Sequence, residues 1–210
     1  MQSSNFYHIF NRANGFENLF RKRENYQFFL NKWDKYISPI ADTYCYCLMP
    51  NHFHFLIRIK SSEELGETFG KFDGKETFGK FETFQKLDED FIAKKITKSF
   101  SNLFSSYTQA YNKYSGRKGS LFTPNFKKKE ITNEIHLLRV IAYIHRNPIH
   151  HGFATNYNEW EFSSYNTIMS ARDTKIKREK VLEIFGGNAE FIQFHQSYLL
   201  ELETIDFDLE

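Results

Sequence analysis

Two histidines with one residue between them stand in the stretch LMPNHFHFLIRIK, Leu48–Lys60. The residues from position 52 onwards alternate as in a β-strand, where neighbouring side chains point to opposite faces. His52 and His54 would then share one face, with their Cα atoms about 6.5–7 Å apart. Neutral imidazole is a common ligand of divalent metals, so the pair predicts a metal site. Two ligands alone hold a metal loosely, and two unrelated surface histidines are the alternative.

A tyrosine lies on the polar side of a helix predicted further along the chain. The sequence from Asn133 to Arg146 has helical periodicity, and we expect Pro148 to end the helix. Tyr143 falls nearly opposite the apolar stripe, and Asn147 follows it by one turn, which puts phenol and amide on the same face. A tyrosine packed on its helix neighbours is the alternative. The apolar stripe consists of Leu137, Leu138, Ile141 and Ile144.

Together these residues would support chemistry on a phosphodiester. Two imidazoles and a side-chain amide can hold Mg²⁺ or Mn²⁺ with open positions, and the metal would withdraw charge from the phosphate oxygens. The phenol of Tyr143 would attack the phosphorus atom after activation, because free tyrosine has a pKa of about 10. Attack would form a phosphotyrosyl bond and release a 3′-hydroxyl. A later hydroxyl can rejoin the strand through this bond without a nucleotide cofactor.

The elements that must position these residues have the order strand, helix, strand, strand, helix. A Pro50-Asn51 turn joins the two middle strands as a hairpin. This order predicts an α+β fold, a ferredoxin-like or RRM-like plait in which helices pack on one face of an antiparallel sheet. The predicted strands are Phe6–Asn11, Thr43–Met49, His52–Lys60 and a short irregular one over Leu121–Lys129. The predicted helices before the tyrosine helix are Arg23–Ile37 and Phe91–Tyr114.

Residues 61–87 interrupt this plan. The segment ETFGKFDGK at 67–75 is nearly repeated as ETFGKFETF from 76, and its glycines favour an exposed inserted loop over a regular helix. After an aromatic stretch at 149–170, a further helical region is expected over Lys177–Leu200, broken at FGGNA. We therefore predict a catalytic domain over 1–170 and a C-terminal helical extension with an acidic tail over 171–210.

The charge distribution is compatible with a polyanionic partner. The net charge is +2, but the last ten residues hold five acids and no Lys or Arg, so residues 1–200 carry 28 − 21 = +7. No run approaches the ~18 apolar residues that a membrane span needs, and the start lacks a secretory signal. Cys45 and Cys47, two apart on one strand, are poorly placed to bridge each other. A reducing cytoplasm is the simple interpretation.

Several ordered motifs resemble one enzyme family. They are YHIFNRANG at 7–15, YCLMPNHFHFLI at 46–57, YIHRNPIHHG at 143–152 and EWEFSSY at 159–165. They resemble the single-tyrosine HUH transposases, in which HUH stands for His–hydrophobic–His, and most of all the REP-associated tyrosine transposases. The resemblance implies a catalytic Tyr143 and metal ligands His52 and His54. It puts Asn147 where relatives carry Gln or Asn.

The resemblance also implies a substrate and a partner. Relatives act on single-stranded DNA, often with a hairpin, through 5′-phosphotyrosine intermediates, with Mg²⁺ or Mn²⁺ bound, and they include monomers and homodimers. An RRM-like module that binds nucleic acid without cutting it, and a phosphodiesterase that uses metal-bound water, are the alternatives. Basic residues would supply salt-dependent phosphate binding. The candidate DNA contacts are Arg12, Arg58, Arg117, Lys118, Lys127, Lys128, Lys129, Arg139 and Arg146.

Overall fold

A computed structural model describes residues 1–70 and 89–201 of the chain. Its centre is a four-stranded antiparallel sheet with the order β2-β3-β1-β4. The strands are β1 Phe6–Arg12, β2 Ala41–Leu48, β3 His52–Ile59 and β4 Lys127–Ile131. The helices are α1 Arg23–Ile37, α2 Ser62–Gly70, α3 Glu89–Ser115, α4 Glu134–His150, α5 Tyr165–Met169, α6 Arg178–Phe185 and α7 Asn188–Glu201.

The β2–β3 hairpin forms as the sequence predicts. The Met49 N–H donates to the carbonyl of His52 across the turn, 2.8 Å, and the ladder then runs from Leu48–Phe53 to Ala41–Ile59. A register shift between Thr43 and Cys45 lets neighbouring residues of β2 share one side of the sheet. The register fixes which residues of β3 point to which face.

The first face of the sheet is covered by α1 and α3. From β3 it contributes alternate residues, including Phe53 and Phe55, as alternation predicts. Trp33 of α1 stacks on Phe55 with ring centroids 3.5 Å apart. Phe29 of α1 meets Tyr107 of α3 edge-on at 5.0 Å. This aromatic cluster holds Phe53, the core-facing residue between the two histidines, in place.

The second face is covered too, by α4 with α6 and α7. The expected α+β antiparallel sheet with helices packed on it and further C-terminal helices is confirmed, and α4 adds a cover on the second face. The reason lies in β2, where Tyr44, Cys45 and Cys47 present an apolar surface that β3 extends with Leu56. Burying that surface stabilises the fold, so α4 lies over β2 and β3. The His54 side chain is therefore buried beneath this cover, and His52 lies at its edge, partly exposed.

The helix α4 runs two residues past Pro148. A proline lacks the N–H that would bond to the Ile144 carbonyl, and its ring crowds that same carbonyl. Around it the bonding continues, since the Asn147 side chain donates to the Tyr143 carbonyl and the His151 N–H donates to Asn147 O. The expected end at Arg146 is therefore wrong, and the catalytic candidate Tyr143 lies well inside the helix.

Other boundaries differ modestly from the sequence expectation. Residues 62–70, predicted as loop, form α2, whereas residues 71–88, which hold the rest of the repeat, lie outside the described residues. The strand expected over 121–129 is β4, displaced towards Ile131. The break at Gly186 and Gly187 separates α6 from α7 as predicted, with φ +90° at the first. The acidic tail beyond 201 is not described. Within the described residues, no helix is long and apolar enough to cross a membrane.

Candidate active site

The two histidines of β3 lie side by side under the edge of α4. Their ring centroids are 5.2 Å apart and the ring planes cross at 85°. In the ladder with β1, His52 is opposite Arg12 and His54 is opposite Phe10. Phe10 stacks on the His54 ring at 5.6 Å. The sheet therefore holds both imidazoles rigidly, one near solvent and one buried.

Tyr143 of α4 is brought against these imidazoles. Its ring meets His54 edge-on at a centroid distance of 5.6 Å, and His8 of β1 at 5.8 Å. The tyrosine is half-buried and also packs on the cluster of Ala142 and Tyr198. Tyr143 of α4 and the histidines of the sheet thus form one site, although Tyr143 and His54 are about ninety residues apart in sequence.

The side chain of Asn147 presents its oxygen to the same place. Its Nδ2 donates to the Tyr143 carbonyl at 3.0 Å, so Oδ1 is the atom that faces Nε2 of His52, 3.4 Å away. The other ring nitrogen of His52, Nδ1, lies 2.7 Å from the Asn51 Oδ1 and donates its proton there. In that tautomer Nε2 of His52 carries a lone pair and faces a second acceptor. A cation between two acceptors relieves their repulsion.

His54 supplies a third donor atom. Its side chain is 2% exposed, and Nδ1 lies 2.9 Å from Nε2 of His8. Its own Nε2 is buried and makes no hydrogen bond to any part of the chain that the structure describes. Burial, with smaller contributions from His8 and His52, lowers the pKa of His54 well below its usual value. A neutral imidazole with a buried nitrogen lacking a partner fits a metal ligand.

The donor set is therefore two imidazole nitrogens and one amide oxygen. Across residues 1–70 and 89–201, no group of three or more His, Cys, Asp or Glu side chains is arranged to hold a metal ion. A cation here would have an amide oxygen as its third ligand. Such a site leaves positions open for phosphate oxygens, as a catalytic site requires. The residues present thus fit a divalent cation such as Mg²⁺ or Mn²⁺.

A cleft of about 650 Å³ opens over the histidines. Basic side chains from two strands line it, Arg12 of β1 and Lys127 of β4, together with the rings of Phe10 and Phe153. The polar and small residues of its wall are Asn11, Asn18, Pro50, Asn51, Thr123, Pro124 and His151. Cations and exposed rings beside a phosphate-sized site match the needs of a nucleic acid strand.

The remaining basic candidates are spread over the molecule. Lys129 lies on the site face with its Nζ 5.8 Å from the Phe10 ring centroid. Lys128, one residue earlier, points to the opposite face by strand alternation. Arg139 is exposed on α4, Lys118 is exposed after α3, and Arg146 is half-buried near Tyr157.

Two arginines of the predicted set have structural partners instead. Arg58 pairs with Asp42 at 2.8 Å and with Glu64 at 3.2 Å, at the far end of β3 from His52. Arg117 pairs with Glu17 and donates to Asn112, which fixes the turn after α3. Neither lines the cleft.

A second buried histidine pair fixes the position of α4. His195 of α7 has Nδ1 2.8 Å from the Phe191 carbonyl, so Nδ1 donates and Nε2 accepts from Nδ1 of His145, 2.9 Å away. His145 Nε2 then accepts from Ser164 Oγ at 2.8 Å, which itself accepts from the Tyr46 N–H. When both imidazoles are neutral, each of these hydrogen bonds has one donor and one acceptor. The series connects α4 to β2 and α7.

Three residues of the site are missing from the sequence prediction. His8 belongs to a quoted motif, but its contact with His54 depends on which strands pair. His151 caps α4, and its ring lies 4.9 Å from that of His52. Phe153 follows it, 52% exposed on the cleft wall, with its ring 5.5 Å from that of Trp160. The unusual HHGF sequence at 150–153, where the tyrosine helix ends, was the available signal for the last two.

Comparison with known proteins supports the architecture. No protein-family profile matches this chain, and no curated protein matches it in sequence. A solved structure described as a REP-associated tyrosine transposase bound to a REP hairpin superposes with a TM-score of 0.52. The alignment covers 80% of this chain and 81% of that one at 16% identity. At this identity the likeness shows a shared fold.

Proposed function

We propose that this protein is a metal-dependent, single-tyrosine transposase of the HUH type that nicks and rejoins single-stranded DNA, with Tyr143 as the nucleophile. One observation carries the proposal: the Tyr143 ring lies against the metal-ligand candidate His54 on the site where His52 and Asn147 present their donor atoms. A tyrosine packed for structural reasons alone would not need three metal-donor side chains around it.

The residues suggest a two-stage reaction. The Tyr143 oxygen forms a bond to phosphorus as the P–O3′ bond breaks, and the phenolic proton is lost while the leaving 3′-oxygen gains one. The upstream fragment then ends in a 3′-hydroxyl, and the 5′-phosphate of the downstream fragment is joined to Tyr143. A 3′-hydroxyl of the same or another strand attacks the phosphotyrosine in reverse, restoring a phosphodiester. No bond energy is lost to hydrolysis, so no nucleotide is consumed.

The neighbouring side chains would divide the work of holding the strand. Arg12 and Lys127 bind backbone phosphates along the cleft, and Phe153 offers a ring on which an unpaired base can stack. His52, His54 and Asn147 would hold Mg²⁺ or Mn²⁺. When bound, that ion supplies positive charge to the oxygens of the scissile phosphate.

The fold supports the family assignment. A protein with the same fold is described as a REP-associated tyrosine transposase bound to a REP hairpin, and the motifs around His52 and Tyr143 resemble that family. We propose a DNA hairpin flanked by single strand as the substrate. The catalytic residues all lie within 1–170, the proposed catalytic domain, and the protein would act as a monomer or a homodimer.

The test is formation of a covalent adduct. The protein is incubated with Mn²⁺ and a pool of labelled single-stranded oligonucleotides that carry a hairpin and randomised flanks. Denaturing gels then separate protein-linked label. We expect an adduct with wild type, none with Tyr143→Phe, and an undiminished adduct with Tyr114→Phe, which removes an exposed hydroxyl on α3.

The other outcomes identify other functions. Retention of the adduct by Tyr143→Phe would show that another residue is the nucleophile. Cleavage with turnover but no adduct would indicate a phosphodiesterase that uses water. Binding of the hairpin that is insensitive to a chelator, without any cleavage, would indicate a nucleic-acid-binding module.

A further inference from the structure

His8 is a third buried imidazole beside the proposed metal ligands. It lies in β1 on the face that α4 covers, and its side chain is 1% exposed. Its ring is parallel to that of His54, 25° between planes and 5.1 Å between centroids, and its Nε2 is 2.9 Å from Nδ1 of His54. A phenylalanine would fill this position beside the rings of Phe10 and His54 without burying a polar group.

The hydrogen bond between the two rings has two forms. If Nε2 of His8 carries the proton, Nδ1 of His54 accepts it, and the His54 proton must sit on Nε2. That nitrogen is buried and has no hydrogen-bond partner among the described residues, so a proton there would be an unsatisfied donor. If Nδ1 of His54 donates to His8, the buried Nε2 becomes a lone pair that points into the site.

We infer that His8 is a positioning residue: it accepts the Nδ1 proton of His54 and thereby fixes the tautomer and ring orientation in which Nε2 of His54 can bind a metal. This inference rests on the proposed function, because it assigns His54 as a ligand. The hydrogen-bonded partner of a ligand imidazole typically changes metal affinity about 10- to 100-fold when it is removed.

This role of His8 explains why two buried imidazoles, those of His8 and His54, stand at positions of the sheet that apolar residues could fill. Neither imidazole has an ion-pair partner among the described residues, and both are buried, so a positive charge on either ring would be buried without compensation. Both rings are therefore neutral. A neutral acceptor is what the Nδ1–H of His54 requires.

Two substitutions of His8 separate positioning from packing. His8→Phe keeps a ring to stack on Phe10 but removes the acceptor, whereas His8→Gln removes the ring and keeps an oxygen that can accept. We expect His8→Phe to weaken Mn²⁺ binding about 10- to 100-fold and His8→Gln to stay within about three-fold of wild type. Thermal stability should follow the opposite order, with the phenylalanine variant melting higher. Calorimetric titration of Mn²⁺ into the full chain measures the affinity.

A metal-free readout keeps this inference separate from the proposed function. Nitrogen-15 NMR of the imidazoles reports the tautomer, and we expect His54 protonated on Nδ1 in wild type and in His8→Gln but shifted towards Nε2 in His8→Phe. Equal Mn²⁺ affinity for His8→Phe and wild type would overturn the inference, as would equal losses in both variants. If His52→Ala leaves Mn²⁺ affinity unchanged, the proposed metal site is wrong, and the NMR result alone then decides whether His8 sets the His54 tautomer.

Discussion

The buried pair His145–His195 should make the fold sensitive to mild acid. Burial lowers the pKa of His195 to about 4, and burial lowers that of His145 well below its usual value. A group whose pKa is depressed in the folded state contributes stability above its unfolded pKa and loses it as the pH falls towards the folded value. The window for His195 therefore runs from pH ~6.5 down to about 4.

The magnitude follows from linkage. At pH 5, an unfolded histidine with a pKa of about 6.5 is mostly protonated, while folded His195 is mostly neutral. Because the unfolded state binds more protons, the free energy of unfolding is lower by about 2 kcal/mol at that pH than at neutral pH. That is a large share of the roughly 5–15 kcal/mol that stabilises a typical domain. His145 acts in the same direction. Its protonation would put an N–H on Nε2, the nitrogen that accepts a hydrogen bond from Ser164 Oγ when the ring is neutral.

The assay is urea unfolding of wild type and His195→Gln at about pH 7.5 and about pH 5. The variant will be less stable at the higher pH, since it loses buried hydrogen bonds worth ~1–3 kcal/mol. Its further loss on acidification should be smaller than that of wild type by about 2 kcal/mol. His150→Gln, which removes an exposed imidazole from α4, is the matched control. If wild type and His195→Gln lose the same free energy between the two pH values, His195 is not a neutral buried group in the folded protein.

The remaining predictions concern the cleft and the end of α4. Arg12→Ala and Lys127→Ala should each reduce the slope of log affinity against log salt for single-stranded DNA by about 0.7, whereas Arg58→Ala should lower urea stability without changing the slope. Phe153→Ala should weaken binding of single-stranded DNA by ~1–3 kcal/mol, and an equal loss on fully duplex DNA would argue against base stacking. Gly152→Ala should cost ~1–2 kcal/mol of stability because φ is +70° there, with nothing near the added methyl group; an unchanged urea midpoint would contradict this.

Local periodicity predicted most of the elements, because each depends on residues close in sequence. Alternation identified the β2–β3 hairpin and the shared face of its two histidines, and helical spacing identified α1 with the bounds that the structure shows. The features that the sequence did not predict depend on contacts between residues distant in sequence or on side chains around a single position. Pro148 did not end α4, since side-chain and capping bonds around it compensate for its missing N–H. The cover of α4 over the second face likewise depends on the apolar side of β2, which takes its shape from the register shift in that strand.

The composition of the site illustrates the same limit more sharply. His52 and His54 could be paired from sequence because one strand carries both, and Tyr143 and Asn147 because one helix does. His8 reaches His54 only through the register of β1 with β3, where Phe10 is opposite His54 and His8 is opposite Leu56, so the two imidazoles are diagonal neighbours. Shifting that ladder by one residue would turn His8 to the α1 face and replace it with an apolar side chain. The position of β1 in the sheet therefore determines whether His54 has an acceptor for its Nδ1 proton. The two histidines of β3 alone describe half of the arrangement by which, in our proposal, Nε2 of His54 binds a metal.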